Sequence, residues 1–190
     1  MTNTQELLTT PFHSYHIKQG AKMVDFAGWD MPLHYGSILD EHQQVRASGG
    51  LFDVSHMGRI SFKGKDACTL LDRLCTRQIL GMSEGQIRYS LVCNEAGGCH
   101  DDVLIYREGN EHYLMVCNGS NREKIWNHIQ LNQGDLACKV IDETESTAMI
   151  AVQGPRVLEL LSNVSSEISN LKRYRFFTKN SIKIIFCFYA

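Results

Sequence analysis

Three apolar runs joined by very short turns constrain this chain more than any other feature. "QIRYSLVC", "DVLIYRE" and "EHYLMVCN" begin at residues 86, 102 and 111, with the turns "NEAGG" and "EGNE" between them. Runs rich in β-branched and aromatic residues, bounded by Gly, Asn and acidic residues, read as strands. Connections this short cannot carry a crossover, so neighbouring strands must run antiparallel. The centre of the chain is therefore an antiparallel meander.

Helices surround it. Thr10-Pro11 opens a short helix that Gly20 closes, and Ser37 caps "ILDEHQQVRAS" before Gly49-Gly50 stops it. Asp66 caps "ACTLLDRLCTRQI", where Ala67, Leu70, Leu71 and Leu74 form a helical stripe. Ser120 or Asn121 caps a helix through Trp126 and Ile129 that ends at Gly134. "LFDVSHMGRISFKG" has the alternation of a strand, with Ile60 and Phe62 on one face. "LACKVID" and "TAMIAVQ" add two strands before a helix opened by Pro155, whereas "AKMVDFAGWDMPLHYGS" is read as an extended packed loop. This pattern predicts an α+β fold with a mainly antiparallel sheet and packed helices.

With 43% hydrophobic and 21% charged residues, the 190-residue chain can bury a sizeable core. Its net charge of -2 gives no general electrostatic reason to bind nucleic acid or an anionic membrane. No apolar stretch approaches the roughly 20 residues that span a bilayer. The N-terminus lacks a basic region followed by an apolar run, so a cytoplasmic protein is expected. Seven cysteines, including Cys187, lack C-x-x-C pairing and are expected to be reduced, mostly buried thiols. No metal is expected, because no close ligand pair is supported by a second.

Motifs for common chemistries are missing. "GCHDD" and "QGPR" lack the glycine spacing of a nucleotide-binding loop, and no G-x-S-x-G elbow is present. Ser55 and His56 are adjacent on an extended segment and so point to opposite faces, which disfavours a nucleophile–base pair. "DFAGWDMPLHYG" is a packed loop or the lining of a flat ligand's pocket, and composition does not choose. The adjacent acids Asp101 and Asp102 also split between faces of a strand. One of them points inward, where a carboxylate needs a donor or a raised pKa. Spacing alone favours a solvated hairpin flank over a working carboxylate.

Five collinear stretches, "KMVDFAGWDMPLHYGSILDEHQQVR", "GLFDVSHMG", "YSLVCNEAGGCHDDVLIY", "VCNGSNREK" and "MIAVQGP", resemble the aminomethyltransferase (T protein) family of the glycine cleavage system. The resemblance implies that tetrahydrofolate accepts a one-carbon unit from an aminomethylated lipoyl carrier protein, with release of ammonia. It places Asp101 as the catalytic carboxylate beside the folate nitrogens, with Asp102 facing away as a structural partner. Met57, Tyr89, Val116 and Asn118 are implied to line the folate pocket with Asp101. Residues 1–170 are read as an incomplete folate-binding region. Residues 171–190 are read as a divergent apolar and basic tail arising from truncation or a frameshift, in a chain expected to turn over little. The alternatives are the folate domain of a sarcosine or dimethylglycine dehydrogenase, a related demethylase, or a non-catalytic folate-binding module.

Overall fold

The computed structural model describes residues 6–179 and 182–186. The first five residues, Cys187 and the last residues of the apolar tail lie outside the described residues. Two compact units emerge, each assembled from separate stretches of chain: Met1–His56 with Glu145–Val164, and Met57–Thr144 with Ser165–Ala190.

In the first unit, β1 (Leu8–Thr9) precedes α1 (His13–Lys18), β2 (Lys22–Phe26) and β3 (Trp29–His34). The stretch expected to be a loop is thus a hairpin. Ala27 and Gly28 both take positive φ, the backbone of a tight hairpin turn, and Phe26 pairs with Trp29 across it. The Asp25 side chain accepts from the Gly28 N–H at 3.0 Å and fixes the turn. Pro32 is tolerated because β1 pairs only with Trp29 and Asp30, and a register shift falls opposite it between Lys22 and Met23. Ser37 caps α2 (Ile38–Ala47) by accepting from the Asp40 N–H at 3.2 Å, as its sequence position predicts. The single strand expected over "LFDVSHMGRISFKG" is two strands belonging to different units. β4 (Gly50–Asp53) pairs antiparallel with β10 (Ile150–Gln153), which leads into α5 (Val157–Leu161).

The second unit is built on a five-stranded antiparallel sheet. Its strands are β5 (Gly58–Lys63), β6 (Ile87–Cys93), β7 (Cys99–Gly109), β8 (His112–Cys117) and β9 (Lys139–Asp142), in the order β6-β7-β8-β5-β9. The meander legible in the sequence occupies β6, β7 and β8. One face of the sheet carries Ile60, Phe62, Val92, Val103, Ile105 and Met115. Against these pack Leu70, Leu71 and Leu74 of α3 (Ala67–Leu74) and Ile125 and Ile129 of α4 (Arg122–Gln133). Burial of this apolar set from water is the main favourable term in folding. Two capping expectations fail for one physical reason, competition from tertiary hydrogen-bond partners. Asp66 makes no cap bond to its helix and accepts from the Ala137 N–H at 2.8 Å. Asn121 precedes α4 without capping it and turns its amide to Asp101. Residues of the tail form the hairpin β11 (Arg175–Lys179) and β12 (Ile182–Phe186). Its entry is tied to β6, since the Ile87 N–H donates to the Tyr174 carbonyl at 2.8 Å.

Candidate functional site

Neighbouring strands bring the singled-out residues to one end of the five-stranded sheet. Leu104 pairs with Val116, which pairs in turn with Arg59, while Tyr89 pairs with Leu104. Tyr89, Leu104 and Val116 therefore form one row on the face opposite the helices. Asn118 and Met57 directly follow and precede the paired ends Cys117 and Gly58. Asp102, paired with Leu91, belongs to the same face as Leu104.

Asp101 does not. It lies on the helix side, in line with Val103 and Ile105, and only 4% of it is exposed. Three amide donors hold it: the Asn118 N–H (2.8 Å), the Asn118 side chain (2.8 Å) and the Asn121 side chain (2.7 Å). A carboxylate this withdrawn from water needs such partners to be tolerated. Asp102 is exposed and accepts from the Tyr89 hydroxyl at 2.9 Å and the Asn118 amide at 3.0 Å. Asp101 is thus the internal acid of the pair and Asp102 the exposed one, on the face of Tyr89 and Val116. The physical reason is the demand of the core, because Val103 and Ile105 commit odd-numbered positions of β7 to the helices.

A β-bulge shapes the same place. Val92 pairs with Asp101 and Cys93 with Cys99, leaving His100 as the extra residue. Its ring lies 4.7 Å from that of His128 on α4. Burial, then the neighbouring His100, hold the His128 imidazole below its ordinary pKa. The Cys117 thiol is buried beside these groups and pushed up to about 12 by burial first and by Asp101 and Asp142 next. Arg122 donates from Nε to Asp142 at 2.7 Å, closing the other side of the sheet end.

The apolar alternation of Val103 and Ile105 is the sequence signal that sets Asp101 on the inner side of β7 and Asp102 on the outer. Asn121, read as a cap, was missed as a ligand of Asp101, and nothing local signals that. The first unit holds a further polar cluster, in which His16 contacts Tyr35 Oη at 2.7 Å and Asp53 at 2.9 Å. Among the described residues, no helix is long and apolar enough to cross a membrane.

The fold is α+β with mainly antiparallel sheets, an architecture shared with a solved structure. The solved glycine cleavage system aminomethyltransferase T from Bartonella henselae superposes with a TM-score of 0.83 at 32% identity, over 90% of this chain and 47% of that one. The chain is 48% identical to the aminomethyltransferase of Rubrobacter xylanophilus, covering 90% of itself and 46% of that protein. Against the Thermotoga sp. aminomethyltransferase it is 42% identical, over 88% of itself and 46% of the relative. The GCVT N-terminal domain matches residues 12–187, and the chain belongs to that family. It spans about half the length of the curated relatives it matches.

Proposed function

We propose that this chain supplies the folate-facing part of an aminomethyl transfer site. In the reaction, an aminomethyl group on the sulfur of a lipoyl carrier protein passes to tetrahydrofolate. Ammonia leaves, and the products are methylenetetrahydrofolate and the reduced lipoyl protein. The observation that carries this reading is the position of Asp102, an exposed carboxylate fixed by Tyr89 and Asn118 on the face that also bears Val116. A fixed anion there can accept a hydrogen bond from a folate N–H and align the nitrogen for attack on the aminomethyl carbon. Tyr89 and Met57 offer flat apolar contact, and the Asn118 amide offers polarity to a heteroaromatic edge. Asp101, the carboxylate that the family resemblance marks as catalytic, is joined to them through Asn118.

The residues suit such a ligand chemically: one carboxylate, one amide, one phenol ring and apolar side chains meet the needs of a flat, polar-edged pterin. The test is a chimera joining this chain to the C-terminal half of the Rubrobacter relative. Formation of methylenetetrahydrofolate from aminomethylated lipoyl protein is expected, and Asp102→Asn should abolish it. Full activity in the Asp102→Asn chimera would refute the assignment.

A further inference from the structure

The bulge at His100 has a second effect, on two thiols. Without it, Cys99 would share the helix side with Asp101; with it, Cys99 comes opposite Cys93, on the side of Leu91 and Asp102. Asn94 donates its backbone N–H to the Gly98 carbonyl at 2.8 Å, which marks a hydrogen-bonded position. The next pair outward from the turn, Cys93 and Cys99, is therefore a non-hydrogen-bonded one, where Cα atoms approach to about 4.5 Å. That separation falls inside the window of about 4.4–6.8 Å that disulfides occupy. All six described cysteines are free thiols, and Cys99 is the exposed one.

The side chains already interact. Desolvation first, and then the Cys93 thiol through charge and hydrogen bonding, raise the Cys99 pKa. Cys99 Sγ donates to the Asp101 carbonyl at 3.4 Å. Cys117 and Cys138 are buried, and Cys68 and Cys75 are partly so, which leaves Cys99 the most accessible of the described thiols.

We propose that Cys93 and Cys99 are a reversible thiol–disulfide site, oxidised across the β6–β7 hairpin by low-molecular-weight disulfides. The Cys99 thiolate attacks the small disulfide, forming a mixed disulfide and expelling one thiolate. The Cys93 thiolate then attacks the Cys99 sulfur, forming the internal S–S bond and expelling the second thiolate. The protein loses two protons and two electrons, and the small disulfide gains them as two thiols. The bond closes the turn two residue pairs from Asp102, so it puts redox control beside the proposed folate face. Its formation does not depend on that face binding folate.

Residues 89–107 form a single tryptic peptide that holds both cysteines. After native incubation with oxidised glutathione, that peptide is expected to be lighter by two hydrogens and to recover on treatment with dithiothreitol. Cys99→Ser should abolish the loss and leave a glutathione adduct on Cys93. A lasting glutathione adduct on Cys99 of the unaltered protein, with no loss of hydrogens, would overturn the proposal. So would pairing of Cys93 with any other cysteine. Because the unaltered protein gives the deciding result, a variant that fails to fold does not obscure it.

Discussion

One amide bridges two adjacent carboxylates: Asn118 Nδ2 donates to Asp101 at 2.8 Å and to Asp102 at 3.0 Å. The backbone N–H of the same residue also donates to Asp101, at 2.8 Å. Asn118 thus couples an internal acid to an exposed one, and the position of the exposed acid depends on the anchoring of the internal one.

Replacing Asn118 by Leu removes the side-chain donors while keeping similar bulk. A buried carboxylate then loses one of its three partners, and hydrogen bonds to charged groups are each worth about 1.5–3 kcal/mol. A loss of that size is expected in urea denaturation. Asn118→Asp should cost more, since it sets a third carboxylate against two others. Equal stability of Asn118→Leu and the unaltered chain would show that Asp101 finds a substitute donor.

The two acids should respond unequally to neutralising substitutions. Asp101→Ala leaves the Asn118 backbone N–H and the Asn121 amide without the acceptor they share, which costs about 1–3 kcal/mol. Asp102→Asn, on the exposed side, should change stability by less than about 0.5 kcal/mol. Thermal melts distinguish them, and a larger loss for Asp102→Asn would reverse the assignment of inner and outer acid.

Gly58 begins β5 where nothing larger fits. A Cβ there would lie 2.4 Å from Cys117 Sγ, far inside contact distance. Gly58→Ala should destabilise the chain by about 1–3 kcal/mol through overpacking. In a double-mutant cycle with Cys117→Ala, the two changes should couple by at least about 0.5 kcal/mol. Strict additivity would mean that the clash is relieved elsewhere.

Acid should weaken the second unit partly through Asp142. Burial tends to raise this carboxyl, but the Thr144 hydroxyl and N–H and the Arg122 guanidinium outweigh it, so the net pKa is lowered. A folded-state pKa below the unfolded one gives stability that is full above the unfolded value of about 3.8 and lost as pH falls through the folded value. Asp142→Asn should therefore be less stable than the unaltered chain at pH 7 and flatten the decline below pH about 4. Parallel pH profiles for the two proteins would remove Asp142 from the acid response.

Strands were legible wherever two signals agreed. In β6, β7 and β8, alternation and turn residues point the same way, and the structure has all three. Composition misled at residues 21–37, because Pro32 and the glycines argued against a strand that β1 leaves unpaired at the critical position. The expected site residues are neighbours in the fold: Tyr89 and Val116 share one side of the sheet, with Met57 and Asn118 next to the paired strand ends. Which of two adjacent acids joins them is decided by cross-strand register, a long-range property that no local window contains. Asn121 makes the same point, since its preference for a helix cap is real but weaker than the pull of a buried carboxylate at 2.7 Å.

The pairing of Gly50 with Gln153 closes β4 onto β10 around the whole of Met57–Thr144. During synthesis, the first unit must therefore wait, with half of its own sheet untranslated, while the second emerges. Loop-closure entropy rises only slowly with the intervening length, so the finished pairing is not penalised for its span. The delay is instead kinetic. Until Gln153 leaves the ribosome, the Gly50–Asp53 edge has no partner from its own chain, and a nascent protein of this design gains from a chaperone that shields it.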